Sequence, residues 1–199
     1  MYTLSILAMF KNESTILQEW FQHYLFQGVE HFYLIDNGST DTYTYPKDKT
    51  TLIVDPTRYP SNTQDILMNK HFLNIIRKET EWILICDIDE YVYARRNFTS
   101  IPQVLSTLSP AVQKIWIPWK VFGSNKHVLQ PFSIVQGFTR RHPLQQPALY
   151  KRPNSTEFDK LLGTGKMISR AKHIQELMVH ETITDDPTIY TSQGMPYTK

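Results

Sequence analysis

The most constraining feature of the sequence is a continuous apolar run, Trp82-Ile83-Leu84-Ile85-Cys86, which ends directly at Asp87-Ile88-Asp89. An uninterrupted apolar run of this length predicts a central strand that is covered on both faces, as in a parallel sheet. Shorter apolar runs at residues 3–9, 31–35 and 51–54 predict three more strands. The chain is therefore expected to contain a sheet whose inner strands are buried by helices.

Helical spacing between these runs predicts the crossovers of a mostly parallel sheet. Apolar residues recur at helical spacing between Ile16 and Leu25, with Asn12 as the expected cap and Gly28 as the stop. A second helix is predicted from Gln64 to Thr80. The alternation of strand and helix predicts an α/β fold with right-handed crossovers. The second half is less regular: it predicts a short helix at 101–108, strands at 115–119 and 166–169, and a long loop at 140–160.

Length and composition fit one globular domain and exclude several classes. The chain has 199 residues, 41% of them hydrophobic, and a formal net charge of +2, which argues against a disordered chain and a dedicated nucleic-acid binder. The single cysteine, Cys86, excludes an internal disulfide framework and is expected to be a buried thiol. No leader or membrane span is apparent, so we expect a cytoplasmic protein.

Polar clusters follow three predicted strands. They begin at Lys11, Asp36 and Asp87, and ligands of parallel sheets bind where strands end. Two carboxylates one residue apart, Asp87 and Asp89, suit a hard divalent cation such as Mg²⁺ or Mn²⁺. The alternatives are a turn with solvated acids at Asp87-Ile88-Asp89, and an ordinary turn, with Asp36 as a helix cap, at Asp36-Asn37-Gly38-Ser39-Thr40-Asp41.

Several blocks together resemble a GT-A glycosyltransferase over residues 3–181. The nearest subgroup is the family-2-like small transferases, including those encoded by large DNA viruses of algae. The blocks are Met9-Phe10-Lys11-Asn12-Glu13, Leu17-Gln18-Glu19-Trp20, the stretch 28–41, the DxD-like strand 82–91, Ile117-Pro118-Trp119-Lys120-Val121-Phe122-Gly123-Ser124, and Lys166-Met167-Ile168-Ser169-Arg170 with His180.

The resemblance implies a single Rossmann-like GT-A domain with a mixed, mostly parallel sheet, divided into a nucleotide-binding half (1–90) and an acceptor-side half (91–199). It implies a nucleoside-diphosphate sugar as donor, most often a UDP-sugar, Mn²⁺ or Mg²⁺ as cofactor, and a glycan or glycoprotein acceptor. Asp87, Asp89 and His180 are the implied metal residues. The implied nucleotide-binding residues are Phe10, Asn12, Asp36, Arg58, Gln64, Asp87, Lys166 and Arg170.

On the acceptor side, Trp119, Phe122 and Gly123 are the expected contacts, with Trp116 in the core and a ligand-facing turn at Phe122-Gly123. For Lys166 and Arg170 a structural ion pair is the alternative, and for Arg58 and His180 a surface position. The spacing does not choose a catalytic base among Glu157, Asp159, Glu181, Asp185 and Asp186. Two other functions remain open: a Mg²⁺ phosphohydrolase of the haloacid-dehalogenase type, which places Asp-x-Asp on its first strand, and a non-catalytic nucleotide or carbohydrate binder.

Overall fold

The computed structural model describes residues 1–141 and 165–196. Within these residues four α-helices and eight β-strands form, together with short 3₁₀ turns. The strands are β1 Tyr2–Phe10, β2 His31–Asp36, β3 Thr50–Val54, β4 Thr80–Ile85, β5 Lys114–Pro118, β6 Gly165–Arg170, β7 Ile174–Leu177 and β8 Thr182–Thr184. The helices are α1 Ser14–Phe26, α2 Thr63–Asn74, α3 Ile101–Ser106 and α4 Ile134–Gly137.

Six strands form one mixed sheet in the order β3-β2-β1-β4-β6-β5. Strands β1 to β4 are mutually parallel, and β6 runs antiparallel to both β4 and β5. The apolar run therefore forms the expected inner strand, between β1 and β6. This arrangement confirms the predicted α/β fold with a mixed, mostly parallel sheet in a single domain.

Alternate side chains of the inner strands bury both faces of the sheet. On β1, Leu4 and Ile6 join a core with Trp20 of α1, whereas Leu7 faces the opposite core with Phe72 of α2. Successive side chains of a strand point to opposite faces, so a continuous apolar strand can support a helix on each side. This layering leaves the carboxyl ends of β1, β2 and β4 at one edge of the sheet.

The helix boundaries differ from the sequence prediction for identifiable reasons. Asn12 does not cap α1: the Ser14 amide instead donates to Asp41 Oδ2 at 2.9 Å, so the cap comes from the loop after β2. Gly28 ends the first helix region with a φ of +85°, as predicted. Helix α2 ends at Asn74 and continues as a 3₁₀ turn, short of the predicted Thr80. Most of the predicted loop at 140–160 lies outside the described residues.

No periodic pattern in the sequence predicts the small second sheet. Strands β7 and β8 pair antiparallel, and the segment between them passes close to Lys166 of β6. Strands of three and four residues are too short to display a clear alternation. The hairpin places the Val179 carbonyl within hydrogen-bonding distance of the Lys166 ammonium.

Candidate active site at the carboxyl edge of the sheet

A broad cleft opens where β1 and β4 end. Its volume is about 1730 Å³, larger than the 300–1,000 Å³ typical of sites for one small molecule, so it has room for two substrates side by side. Seven of the predicted site residues line it: Phe10, Gln64, Asp87, Asp89, Trp119, Phe122 and Lys166. The other six, Asn12, Asp36, Arg58, Gly123, Arg170 and His180, lie outside its lining.

Asp87 is held by three other elements of the fold. Its Oδ1 accepts from Gln64 Nε2 of α2 at 3.1 Å, and its Oδ2 accepts from Lys166 Nζ of β6 at 2.7 Å. The backbone carbonyl of Asp87 accepts from the indole Nε1 of Trp20 on α1 at 3.1 Å. Because both oxygens and the carbonyl are engaged, the side chain has a fixed orientation at the end of β4.

Lys166 is a buried cation whose three N–H groups all have protein acceptors. Besides Asp87, its Nζ lies 3.1 Å from the Val179 carbonyl and 3.3 Å from Glu90 Oε2. Its side chain is only 2% exposed. Two carboxylates and a carbonyl therefore surround the Lys166 ammonium within the protein. The structure thus favours the ion-pair alternative for Lys166 over direct diphosphate binding.

Glu90 completes this buried cluster, and the sequence analysis did not single it out. Its Oε2 accepts from the Asp87 amide at 3.0 Å, which closes the turn after β4. Burial raises the pKa of the Glu90 carboxyl, while the neighbouring Lys166 ammonium acts in the opposite direction. The signal that could have found it is its position three residues after Asp87, where a side chain can reach back to the first amide of a turn.

Asp89 contrasts with Asp87 because its carboxylate is exposed at the cleft. Glu13, at the start of α1, also lines the cleft. Burial raises the pKa of the Glu13 carboxyl, and the negative charges of Asp89 and Asp41 raise it further. Acidic side chains from two strand ends therefore meet at this edge, which creates a negative potential that favours a cation.

The loops after β1 and β2 are tied to each other. Asn12 Oδ1 accepts from the Thr40 amide at 2.7 Å, and the Asn12 amide donates to Ser39 Oγ at 3.1 Å. Asp36 accepts from the Ser39 amide and from the Tyr43 hydroxyl. Although burial raises the pKa of Asp36, these hydrogen bonds outweigh it and the pKa is lowered. Asn12 and Asp36 therefore shape the loops beside the cleft, while Phe10 packs edge-on against Tyr43.

Arg170 and Arg58 do not meet the predicted phosphate site. Arg170 pairs across the sheet with Trp82, stacks on its ring and forms an ion pair with Glu81 at the opposite edge. Residues four apart on a strand share a face but are about 13 Å apart, so the shared face with Lys166 did not bring Arg170 to the cleft. The diphosphate role predicted for Arg170 is therefore not supported. Arg58 is exposed in the loop before α2.

Two of the three residues predicted on the acceptor side, Trp119 and Phe122, line the cleft. Trp119 is half-buried, with its ring edge-on to His180 and 5.8 Å from the Lys166 ammonium. Phe122 is about half-exposed and pairs through its backbone with Arg141. The turn expected at Gly123 lies instead at Asn125 and Lys126, which both have positive φ.

Two further predictions concern metal ligands and bases. In the described ranges, no three His, Cys, Asp or Glu side chains converge closely enough to form a metal-binding group, so His180 does not join Asp87 and Asp89. Among the candidate bases, Asp185 bonds His173 and Gln175, and Asp186 accepts from the Thr188 amide. Neither these two nor Glu181 lines the cleft, and Glu157 and Asp159 lie outside the described residues.

A comparison with family models now identifies the chain. The model of glycosyltransferase family 92 matches residues 1–197. The chain belongs to glycosyltransferase family 92. This match confirms a glycosyltransferase and assigns the chain to family 92, whereas the sequence resemblance pointed to a family-2-like subgroup. No curated protein matches the sequence significantly.

Membership of family 92 also bears on the alternatives. A haloacid-dehalogenase-type phosphohydrolase would use the first aspartate as a nucleophile, whereas both oxygens of Asp87 are engaged here by Gln64 and Lys166. The geometry and the family match both favour the glycosyltransferase. None of the helices in residues 1–141 and 165–196 combines the length and apolar character that a membrane crossing requires.

Proposed function

We propose that this family 92 glycosyltransferase uses a nucleoside-diphosphate sugar, most simply a UDP-sugar, as donor and a glycan or glycoprotein as acceptor. The observation that carries the proposal is the pair formed by exposed Asp89 and clamped Asp87 at the end of a buried inner strand. In an open α/β sheet this edge is where ligands bind. Residues 1–90 would supply the nucleotide side and residues 91–199 the acceptor side.

The donor set fits Mn²⁺ or Mg²⁺. Such ions are commonly held by one or two carboxylates, with water and substrate phosphates completing the shell, so a protein site of three ligands is not required. Asp89 would be the principal ligand because its carboxylate is exposed to the cleft. When bound, the ion would neutralise negative charge that develops on the departing diphosphate.

The residues around Asp89 would keep the site preorganised. Gln64 and Lys166 fix Asp87 from two sides, and Glu90 fixes the turn that carries Asp89. Because these hydrogen bonds exist before substrate arrives, little reorganisation is needed when charge develops during transfer. Phe10 would form part of the nucleoside wall, next to the tied loops after β1 and β2.

The opposite wall would receive the acceptor. Trp119 and Phe122 present aromatic surface to the cleft, and the C–H face of a sugar ring can pack on an aromatic face. The Lys166 ammonium lies 5.8 Å from the centre of the Trp119 ring, so Trp119 stands between the Asp87 cluster and the proposed acceptor position. Substitution of Trp119 is therefore expected to affect acceptor use more than donor binding.

A panel of nucleotide sugars tests the proposal. The protein is incubated with each donor, with and without Mn²⁺ and an acceptor glycan mixture, and free nucleoside diphosphate is measured. We expect metal-dependent release from at least one UDP-sugar, at least tenfold reduced in Asp89→Asn. Asp48→Asn, an exposed acid in the 3₁₀ turn before β3, is the matched control. Binding without release from any donor would contradict the transferase proposal and favour a non-catalytic binder.

A further inference from the structure

The segment from Lys120 to Arg141, here called the 120–141 loop, exposes large apolar side chains at its tip. Phe132 is 100% exposed, Val128 97% and Leu129 82%. Val121 and Val135 are also more than half exposed. Single exposed apolar residues are ordinary on protein surfaces, but a cluster of this kind marks an interaction site.

The loop is held in position by contacts at its base. Phe122 and Arg141 pair through their backbones, and the Gly123 amide donates to the Arg140 carbonyl at 2.9 Å. Asn125 bridges the two arms, because its side chain donates to the Gly137 carbonyl and accepts from the Arg140 amide. The exposed tip therefore projects from a loop whose two arms are joined.

A second anchor joins the loop to α1. The Glu19 carboxylate accepts from the Ser133 hydroxyl and from the Ile134 amide, and Gln130 donates to Thr15. These contacts flank Phe132 on both sides in the sequence. The Phe132 side chain is therefore exposed although the backbone before and after it is held against α1.

The sequence in and before the loop is strongly basic. Residues 91–141 contain seven Lys and Arg and no Asp or Glu, and the next acid in the sequence is Glu157. Lys114 is buried and donates to the Thr182 carbonyl. The remaining six cations are exposed, and none forms an ion pair with another residue in the described part of the chain; they are Arg95, Arg96, Lys120, Lys126, Arg140 and Arg141.

We propose that the 120–141 loop docks on an anionic lipid bilayer, with Val128, Leu129 and Phe132 entering the interface and the flanking cations meeting lipid headgroups. Apolar burial and attraction to anionic lipids together produce interfacial binding. A soluble polyanion would engage the cations but leave the apolar tip in water. A bilayer needs no matching groove, and the tip projects almost fully exposed side chains.

The inference goes beyond the proposed donor chemistry and does not depend on it. Val128 and Leu129 also line the rim of the cleft. Docking by this loop would therefore bring the acceptor wall close to the membrane surface. An acceptor attached to that surface could then reach Trp119 without leaving it.

Vesicle sedimentation tests this proposal with the full chain. Vesicles of phosphatidylcholine alone are compared with vesicles that also contain phosphatidylserine. We expect binding only to the anionic vesicles, decreasing with added salt. Phe132→Ser should weaken binding about tenfold, and Lys120→Gln with Lys126→Gln should weaken it about fivefold per cation.

Matched control variants separate docking by the loop from nonspecific adsorption to vesicles. Phe26, at the end of α1, is 77% exposed, so Phe26→Ser removes an equivalent ring elsewhere, and Lys47→Gln removes an exposed cation beside β3. Both controls should bind like the wild type. Equal losses in controls and loop variants, or no binding to anionic vesicles, would overturn the proposal. Retention on heparin that Phe132→Ser leaves unchanged, without vesicle binding, would instead assign the surface to a soluble polyanion.

Discussion

The two sides of the cleft are built in opposite ways. Residues 1–90 carry 13 acids against seven Lys and Arg, a net charge of −6, whereas residues 91–141 carry seven Lys and Arg and no acid. On the first side, Asp87 is held by Gln64 and by Lys166 of β6. The other side leaves cations and apolar side chains exposed. The total charge of +2 is therefore the sum of an acidic first part and a basic second part of the chain.

The difference indicates that each side is adapted to a different kind of partner. An acidic, hydrogen-bonded edge is suited to hold a cation and, through it, a small charged donor. A basic surface with exposed apolar residues is suited to an extended anionic partner. Two variants separate the contribution of the internal contacts around Asp87 from that of the contact between the two sides, where His23 of α1 meets Tyr91 and Val92.

The largest expected effect on stability comes from removing the Lys166 ammonium, which holds Asp87 and Glu90. Lys166→Met leaves Asp87 and Glu90 without their shared buried partner, so we expect a loss of about 3 kcal/mol in the free energy of unfolding. The measurement is urea denaturation. Lys70→Met is the matched control, because the Lys70 side chain is half-exposed and Asp55 keeps His71 as a second partner, so this change should affect stability far less. Similar losses of unfolding free energy in the two variants would show that the buried Lys166 pairs contribute no more to stability than the half-exposed Lys70 pair.

A smaller effect on the free energy of unfolding is expected from His23, where α1 contacts the chain that follows β4. The ring of His23 on α1 lies against Tyr91, and its Nε2 is 2.8 Å from the Val92 carbonyl. Burial lowers the pKa of His23, although the hydrogen bond to Val92 raises it. The unfolded chain then takes up the proton first, so stability is complete above about pH 6.5 and declines as pH falls.

Urea midpoints measured between about pH 7.5 and about pH 5.5 check this sign. The wild type should lose stability toward the acid end, and His23→Gln should show a flatter dependence. His31 in the donor half also has a pKa lowered by burial, so His31→Gln should flatten the profile as well. A steeper acid loss in His23→Gln than in the wild type would contradict the assigned direction.

Much of the fold could be predicted because its signals are local. Strands β1 to β4 are short apolar runs, and Gly28 marks the end of the first helix by its positive φ. The contacts that fix the site are not local. Asp41 caps α1 from 27 residues away, and Lys166 reaches Asp87 across 79 residues. Such partners depend on strand order, which spacing along the chain does not contain.

The predictions that differ from the structure also concern contacts between residues far apart in the sequence or closed by a turn. Lys166 and Arg170 share a face of β6, but only the sheet register shows that Arg170 lies opposite Trp82, at the far edge. Glu90 was overlooked because its role depends on the turn closing onto the Asp87 amide. Gln64 is predicted from the sequence as a nucleotide-binding residue; the structure places it in the lining of the cleft, where it donates to Asp87. Residue type indicated the chemistry, and topology determined which residues meet.

A calorimetric titration of UDP with and without Mn²⁺ tests whether Asp89 binds the metal. We expect Mn²⁺ to tighten UDP binding to the wild type and to Asp48→Asn, and Asp89→Asn to lose this dependence while its unfolding midpoint is unchanged. An Asp89→Asn variant that binds UDP with the same Mn²⁺ dependence as the wild type would contradict the assignment of Asp89 to the metal.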